Sequence, residues 1–100
     1  MILSFDPGFS GAWAVLDMSG NLQVVGDMPV IGEGSRKRVN AAAIGHLIGQ
    51  HDITRIVIEE VASRPGEGTA SSFRFGMAVG AVEGACGAMQ MPLERVTPQA

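Results

Sequence analysis

Short apolar runs alternate along the chain with polar breaks rich in glycine or proline, a pattern that predicts a mixed α/β fold. Residues 1–5 are apolar or small and stop at Asp6-Pro7-Gly8, which reads as a buried strand entering a turn. Residues 11–17 and 22–28 are two further strand-like runs, separated by Ser19-Gly20 and closed by Pro29. Such short connections predict an antiparallel meander. Residues 30–39 are polar, basic and glycine-bearing, and read as a loop. Asn40 suits the cap of a helix reaching about residue 50, with Ala43, Ile44, Leu47 and Ile48 on its apolar side. A fourth strand follows over 55–59. Its Ile56-Val57-Ile58 is continuous and β-branched, the pattern of a strand covered on both faces. Strand, helix and strand in succession predict a parallel crossover. Residues 62–68 read as a second loop, 70–89 as a long helix and 92–96 as a fifth strand. The expected order is β-β-β-α-β-α-β.

The long helix carries two stripes. Phe75, Val79, Val82, Cys86 and Met89 recur at helical spacing and form an apolar seam. Gly76, Gly80, Gly84 and Ala88 recur every fourth residue on another face. Each interior glycine costs a helix about 1 kcal/mol relative to alanine. The expected compensation is close approach of another backbone, either the chain's own sheet, which is slightly favoured, or a second copy of the helix.

A length of 100 residues, 46% of them hydrophobic, fits one small domain. No apolar run approaches the roughly 20 residues of a membrane span, and the N-terminus lacks the basic start of a signal peptide. Cys86 is the only cysteine, so no internal disulfide forms, and a cytoplasmic location is expected. The net charge of −3 argues mildly against nucleic acid, but its distribution matters more. Three of the seven basic residues stand together as Arg36-Lys37-Arg38. Arg64 and Arg74 flank a glycine-rich stretch.

Two carboxylate positions carry the candidate chemistry. Asp6 ends the first strand in an Asp-Pro-Gly turn, with Ser10-Gly11 just beyond. A carboxylate there can hold Mg²⁺, which takes hard oxygen ligands, although Asp-Pro-Gly is also a common turn. Glu59-Glu60 ends the strand at 55–59, and alternation does not choose between these two acids. If the two strands are parallel neighbours, both acids fall on the sheet edge where open α/β sheets bind ligands. Two close carboxylates repel unless a cation lies between them, the construction of a two-metal phosphodiester hydrolase. Between Arg64 and Gly76, small and hydroxyl residues including Ser71 lead into the long helix, where free backbone N–H groups suit a phosphate. The bland readings are a capped flexible loop there, core packing for Cys86, and no metal role for His46 and His51. Trp13 is expected to pack under a helix.

These residues resemble a family. Ile2-Leu3-Ser4-Phe5-Asp6-Pro7-Gly8, the following Ser10-Gly11-Ala12-Trp13-Ala14-Val15-Leu16-Asp17, and Val57-Ile58-Glu59 resemble RuvC-like Holliday junction resolvases of phages and prophages. So do Pro65-Gly66-Glu67-Gly68, Ser72-Phe73-Arg74-Phe75-Gly76 and Arg95-Val96-Thr97-Pro98-Gln99. The resemblance implies an RNase H-like fold and Mg²⁺- or Mn²⁺-dependent cleavage of branched DNA by a homodimer. It matches Asp6 and Glu59 to the family's first two catalytic, metal-binding acids and leaves Glu60 outward. It also raises the expectation that Gly76, Gly80 and Gly84 form a dimer interface. Arg36, Lys37, Arg38, Arg64, Ser71 and Arg74 are the candidate DNA contacts. Family members continue into a further helix that brings one or two more acids, and the sequence reaches Ala100 where that helix would begin. The chain therefore reads as a single domain, 1–100, without that helix. Two alternatives stand beside the endonuclease: a non-catalytic DNA-binding or dimerisation module of the same fold, and a fragment of an actin-like ATPase, whose phosphate loop Asp6-Pro7-Gly8 also resembles.

Overall fold

A computed structural model describes residues 1–8, 10–59 and 68–96, with the side chains of Thr69 and Ser71 excepted. The first three strands are β1 (Ile2–Asp6), β2 (Ala12–Leu16) and β3 (Leu22–Asp27). They form the expected meander, β1 antiparallel to β2 and β2 to β3. Asp17 closes the β2–β3 turn, its carboxylate accepting from the backbone N–H groups of Ser19 and Asn21, both at 2.9 Å.

The segment read as loop is instead a small hairpin. Val30–Ile31 (β4) pairs with Arg38–Val39 (β5) around a 3₁₀ turn at Gly34–Arg36. Its apolar residues explain the difference: Val39 is buried in the core and Val30 packs against it, so the basic residues ride on an anchored ribbon. Helix α1 (Ala41–Gln50) is capped by Asn40, whose side-chain oxygen accepts from the Ala43 N–H at 3.1 Å. Strand β6 (Arg55–Glu59), helix α2 (Thr69–Ala88) and strand β7 (Leu93–Val96) complete the described chain. The loop between β6 and α2, expected over 62–68, lies outside the described residues except for Gly68.

The five longer strands make one sheet in the order β3-β2-β1-β6-β7, with β6 parallel to both β1 and β7. Leu3, Phe5, Val15, Ile56 and Ile58 turn to one face of the sheet. There they meet Ile44, Leu47 and Ile48 of α1 and Ala78, Val82, Ala85 and Cys86 of α2. Removing these side chains from water is the main term holding a domain of this size together.

The expectation that β6 is covered on both faces is corrected. Ile56 and Ile58 are fully buried, but Val57, with Ile2, Ala14 and Leu16, is only half-buried on the opposite face. No described helix stands on that face. There Arg55 and Glu94 form an exposed ion pair across β6 and β7.

The glycine stripe is corrected too. Gly76, Gly80 and Gly84 do not approach the sheet, and a β-carbon at any of them would meet nothing within 4 Å. The sheet is packed instead by Ala78, Val82, Ala85 and Cys86, which lie on another face of α2. Trp13 lies across the strand beside it, over Gly26, where a β-carbon would come within 2.5 Å of the indole. It packs partly buried against the core, and its ring centroid is 6.4 Å from that of His51, just past α1.

Candidate metal and nucleic-acid site

Parallel pairing of β1 with β6 sets the site. Phe5 is registered with Ile58, so Asp6 and Glu59 follow on the next residue of adjacent strands. Side chains alternate along a strand, and Phe5 and Ile58 both face the core. Asp6 and Glu59 therefore project from the same, opposite face at the same end of the sheet. Neighbouring strands stand about 4.8 Å apart, which puts the two carboxylates within reach of a common cation. Asp6 is exposed and Glu59 half-buried. Glu60 lies outside the described residues, so the face of β6 separates Glu59 as Asp6's companion without a comparison between the two acids.

The turn after β1 is shaped around Asp6. Gly8 has φ +117°, a conformation that side chains resist. A β-carbon on Gly11 would stand 1.9 Å from the Asp6 carbonyl oxygen. The glycines thus let the backbone fold back tightly and leave the end of β1 beside an open hollow. That hollow has a volume of about 380 Å³ and is lined by Asp6, Gly8, Ser10 and Gly11 on one side and by Arg74 and Phe75 of α2 on the other. Glu59 does not line it. The structure thus brings Arg74 to Asp6, a pairing absent from the sequence expectations, and leaves Glu59 one strand away.

The fit to a divalent cation is a matter of donor chemistry. Two carboxylates on one face offer the hard oxygen ligands Mg²⁺ or Mn²⁺ requires, and unpaired they repel each other. Among the described residues no group of three acids, histidines or cysteines comes together, so Asp6 and Glu59 form a pair rather than a cage.

The predicted DNA contacts separate into three groups. Arg36, Lys37 and Arg38 converge with Arg74 on a second hollow of about 220 Å³, between the hairpin turn and the first turns of α2. Among the described residues none of these four cations has an ion-pair partner. Ser71 lies in the first turn of α2. Arg64 lies outside the described residues. The N-cap of α2 is Gly68, which makes no side-chain cap.

Three lining residues went unnoticed in the sequence. Phe75 was assigned to the apolar seam but borders the Asp6 hollow, and Phe73 and Met77 border the cationic one. The signal was available: Phe73 and Met77 are four apart and fall on the glycine face rather than the core face of α2.

No protein-family model and no curated protein matches this chain. Solved structures do. The fold is similar to RuvC of Thermus thermophilus in complex with a Holliday junction substrate, with a TM-score of 0.75 and 16% identity over 98% of this chain. A second Thermus thermophilus RuvC structure matches with a TM-score of 0.60 and 18% identity over 97% of this chain. The chain spans 64% and 63% of the length of those two proteins. These likenesses identify the architecture as the RNase H-like α/β fold.

Proposed function

We propose that this chain is the core domain of a RuvC-like, structure-selective DNA endonuclease of the phage type, acting on branched DNA as a homodimer. The observation that carries the reading is the placement of Asp6 and Glu59 on one face at adjacent parallel strand ends. The fold it shares with a RuvC protein solved on a Holliday junction substrate supports it.

Asp6 and Glu59 would hold Mg²⁺ or Mn²⁺, which when bound supplies an activated water and neutralises charge on the leaving oxygen. The rest of the work falls to this chain's own groups. Arg74, beside Asp6, holds a phosphodiester against the carboxylate edge by charge-assisted hydrogen bonds. Gly8 and Gly11 let the backbone of the turn fold tightly beside that approach. Arg36, Lys37 and Arg38 attract the adjoining backbone, and Arg64 and Ser71 are the further proposed DNA contacts. The exposed glycine stripe at Gly76, Gly80 and Gly84 is the dimer contact, where missing β-carbons allow two α2 helices to approach closely. The further acids implied by the family resemblance complete the ligand set.

The test is cleavage of a synthetic four-way junction and of a linear duplex in Mg²⁺ or Mn²⁺. Junction-selective cleavage that disappears in Asp6→Asn is expected. Junction binding with no cleavage in either metal supports the non-catalytic module instead.

A further inference from the structure

We propose that the free edge of β3 binds an extended segment of a partner protein, one with alternating apolar residues and a basic side chain at each end. The proposal goes beyond the endonuclease reading and does not depend on it.

β3 stands at the end of the sheet order β3-β2-β1-β6-β7, so one of its long sides has no strand against it among the described residues. The outward backbone groups follow from one hydrogen bond. Met28 N–H donates to the Gly11 carbonyl at 3.0 Å, on the β2 side. Backbone groups alternate along an antiparallel strand, so the N–H and C=O groups of Asp27 and Val25 point away from β2. The register sets Val25 against Ala14 and Leu22 against Leu16, which places both side chains on the sheet face that no described helix covers. Leu22 is 60% and Val25 59% exposed.

The other edge strand is protected. β7 carries Glu94 and Arg95, in ion pairs with Arg55 and Glu83. Charged side chains on an edge deter strand addition. β3 has no lysine, arginine or proline, and its one charge is Asp27 at the end. A register shift falls between Leu22 and Val24 and leaves residues 24–27 regular. Such an open, apolar edge is a template on which an extended peptide adds a strand.

Charge decides the occupant. Asp17, in the turn before β3, and Asp27, at its far end, bracket the apolar stretch. Pairing with a second copy sets acid on acid. Antiparallel pairing brings Asp27 of one copy to Asp17 of the other, and parallel pairing brings each acid to its own counterpart. Like charges opposed across a strand pair destabilise it. Asp27 has no ion-pair partner among the described residues. A basic side chain at each end of an incoming strand answers both acids, and apolar residues between them cover Leu22 and Val25.

The experiment measures fluorescence anisotropy of a labelled peptide of roughly eight residues, alternating valine and threonine with lysine at each end. One twin carries glutamate at each end, and another carries N-methyl groups on alternate backbone nitrogens. The lysine-ended peptide is expected to bind at least about tenfold tighter than either twin. Asp27→Lys should narrow or reverse the preference for lysine over glutamate. Val25→Pro removes a donor that only an incoming strand would use, and should weaken binding about tenfold with an unchanged circular dichroism spectrum. The N-methylated twin asks the same question without relying on that variant's fold. No saturable binding of the lysine-ended peptide overturns the proposal. So does equal binding of the N-methylated twin, or a lysine preference that Asp27→Lys leaves intact. Self-association that Val25→Pro abolishes in sedimentation velocity assigns the edge to a second copy and overturns it too.

Discussion

A β-carbon on residue 11 would stand 1.9 Å from the carbonyl oxygen of Asp6. Gly11 is thus the residue against which the carboxylate-bearing turn closes. Its own N–H donates to the Gly8 carbonyl at 3.3 Å, and its carbonyl accepts from Met28 N–H at 3.0 Å, tying the turn to the end of β3. Gly11→Ala must push Asp6 aside. The expected cost is about 1–3 kcal/mol, the usual range for overpacking, seen as a lower urea midpoint, together with weakened metal binding.

Metal binding itself divides Asp6 from Glu59. In isothermal titration with Mn²⁺, Asp6→Asn and Glu59→Gln are each expected to lose affinity by tenfold or more, on the order of 1.4 kcal/mol. In the proposed site both acids contribute one hard ligand to the same ion, so the double variant should lose little beyond the larger single loss if either alone abolishes binding. Unchanged affinity in Asp6→Asn would remove the site.

The glycine stripe separates two states of the chain. Where α2 faces solvent, Gly80→Ala meets empty space and should stabilise the monomer by roughly 0.5–1 kcal/mol through helix propensity. In the proposed homodimer a larger residue holds the helices apart. Gly80→Leu should therefore shift the chain to monomer in sedimentation velocity while the fold, read by circular dichroism, is retained. A Gly80→Leu chain that dimerises as the unaltered one does excludes α2 as the interface.

Cys86 should be chemically quiet. It is buried under α2, and burial, aided by the nearby Glu83 charge, pushes its thiol up to about 11. At about pH 8 almost no thiolate forms, so a thiol reagent should react only as fast as the chain unfolds, and at once in denaturant. Rapid labelling of the native chain would contradict the packing of α2 on the sheet.

Asp17 provides an acid-side test of the β2–β3 turn. Hydrogen bonds from the Asn21 backbone, then its side chain, hold the Asp17 carboxyl below its ordinary 3.8. A depressed value stabilises the fold above the ordinary value, and the benefit is lost as pH falls through the folded-state value. Asp17→Ala should thus lower the melting temperature at about pH 6, with the gap to the unaltered chain closing below pH 3.8. A gap that is constant with pH would assign the loss to something other than the charge.

Sequence alone determined the order of the five long strands and two helices, because each carries its own period and its own punctuation. Asn40 marks one helix start by a local cap, and Ile56-Val57-Ile58 marks a strand by local shape. Asp6 was legible for the same reason, at the boundary of a run and a turn. Its partnership with Glu59 needed parallel pairing, which the crossover pattern predicted and the register between β1 and β6 supplied. Other features depended on distance in space rather than along the chain. Whether the glycines of α2 faced the sheet was open in the sequence, since helical periodicity defines stripes but not their partner; the face bearing Ala78, Val82, Ala85 and Cys86 packs in the core, and the glycines turn outward with Phe73 and Met77. The basic run at 36–38 looked like a free loop, because only burial of Val39 under α2 reveals that it is anchored. Arg74 joins that run to Asp6 although the three lie thirty or more residues apart in sequence. Local chemistry wrote the two carboxylates into the chain, and tertiary packing alone brought Arg74 to the hollow at Asp6 and Phe73 to the hollow that Arg74 shares with the hairpin.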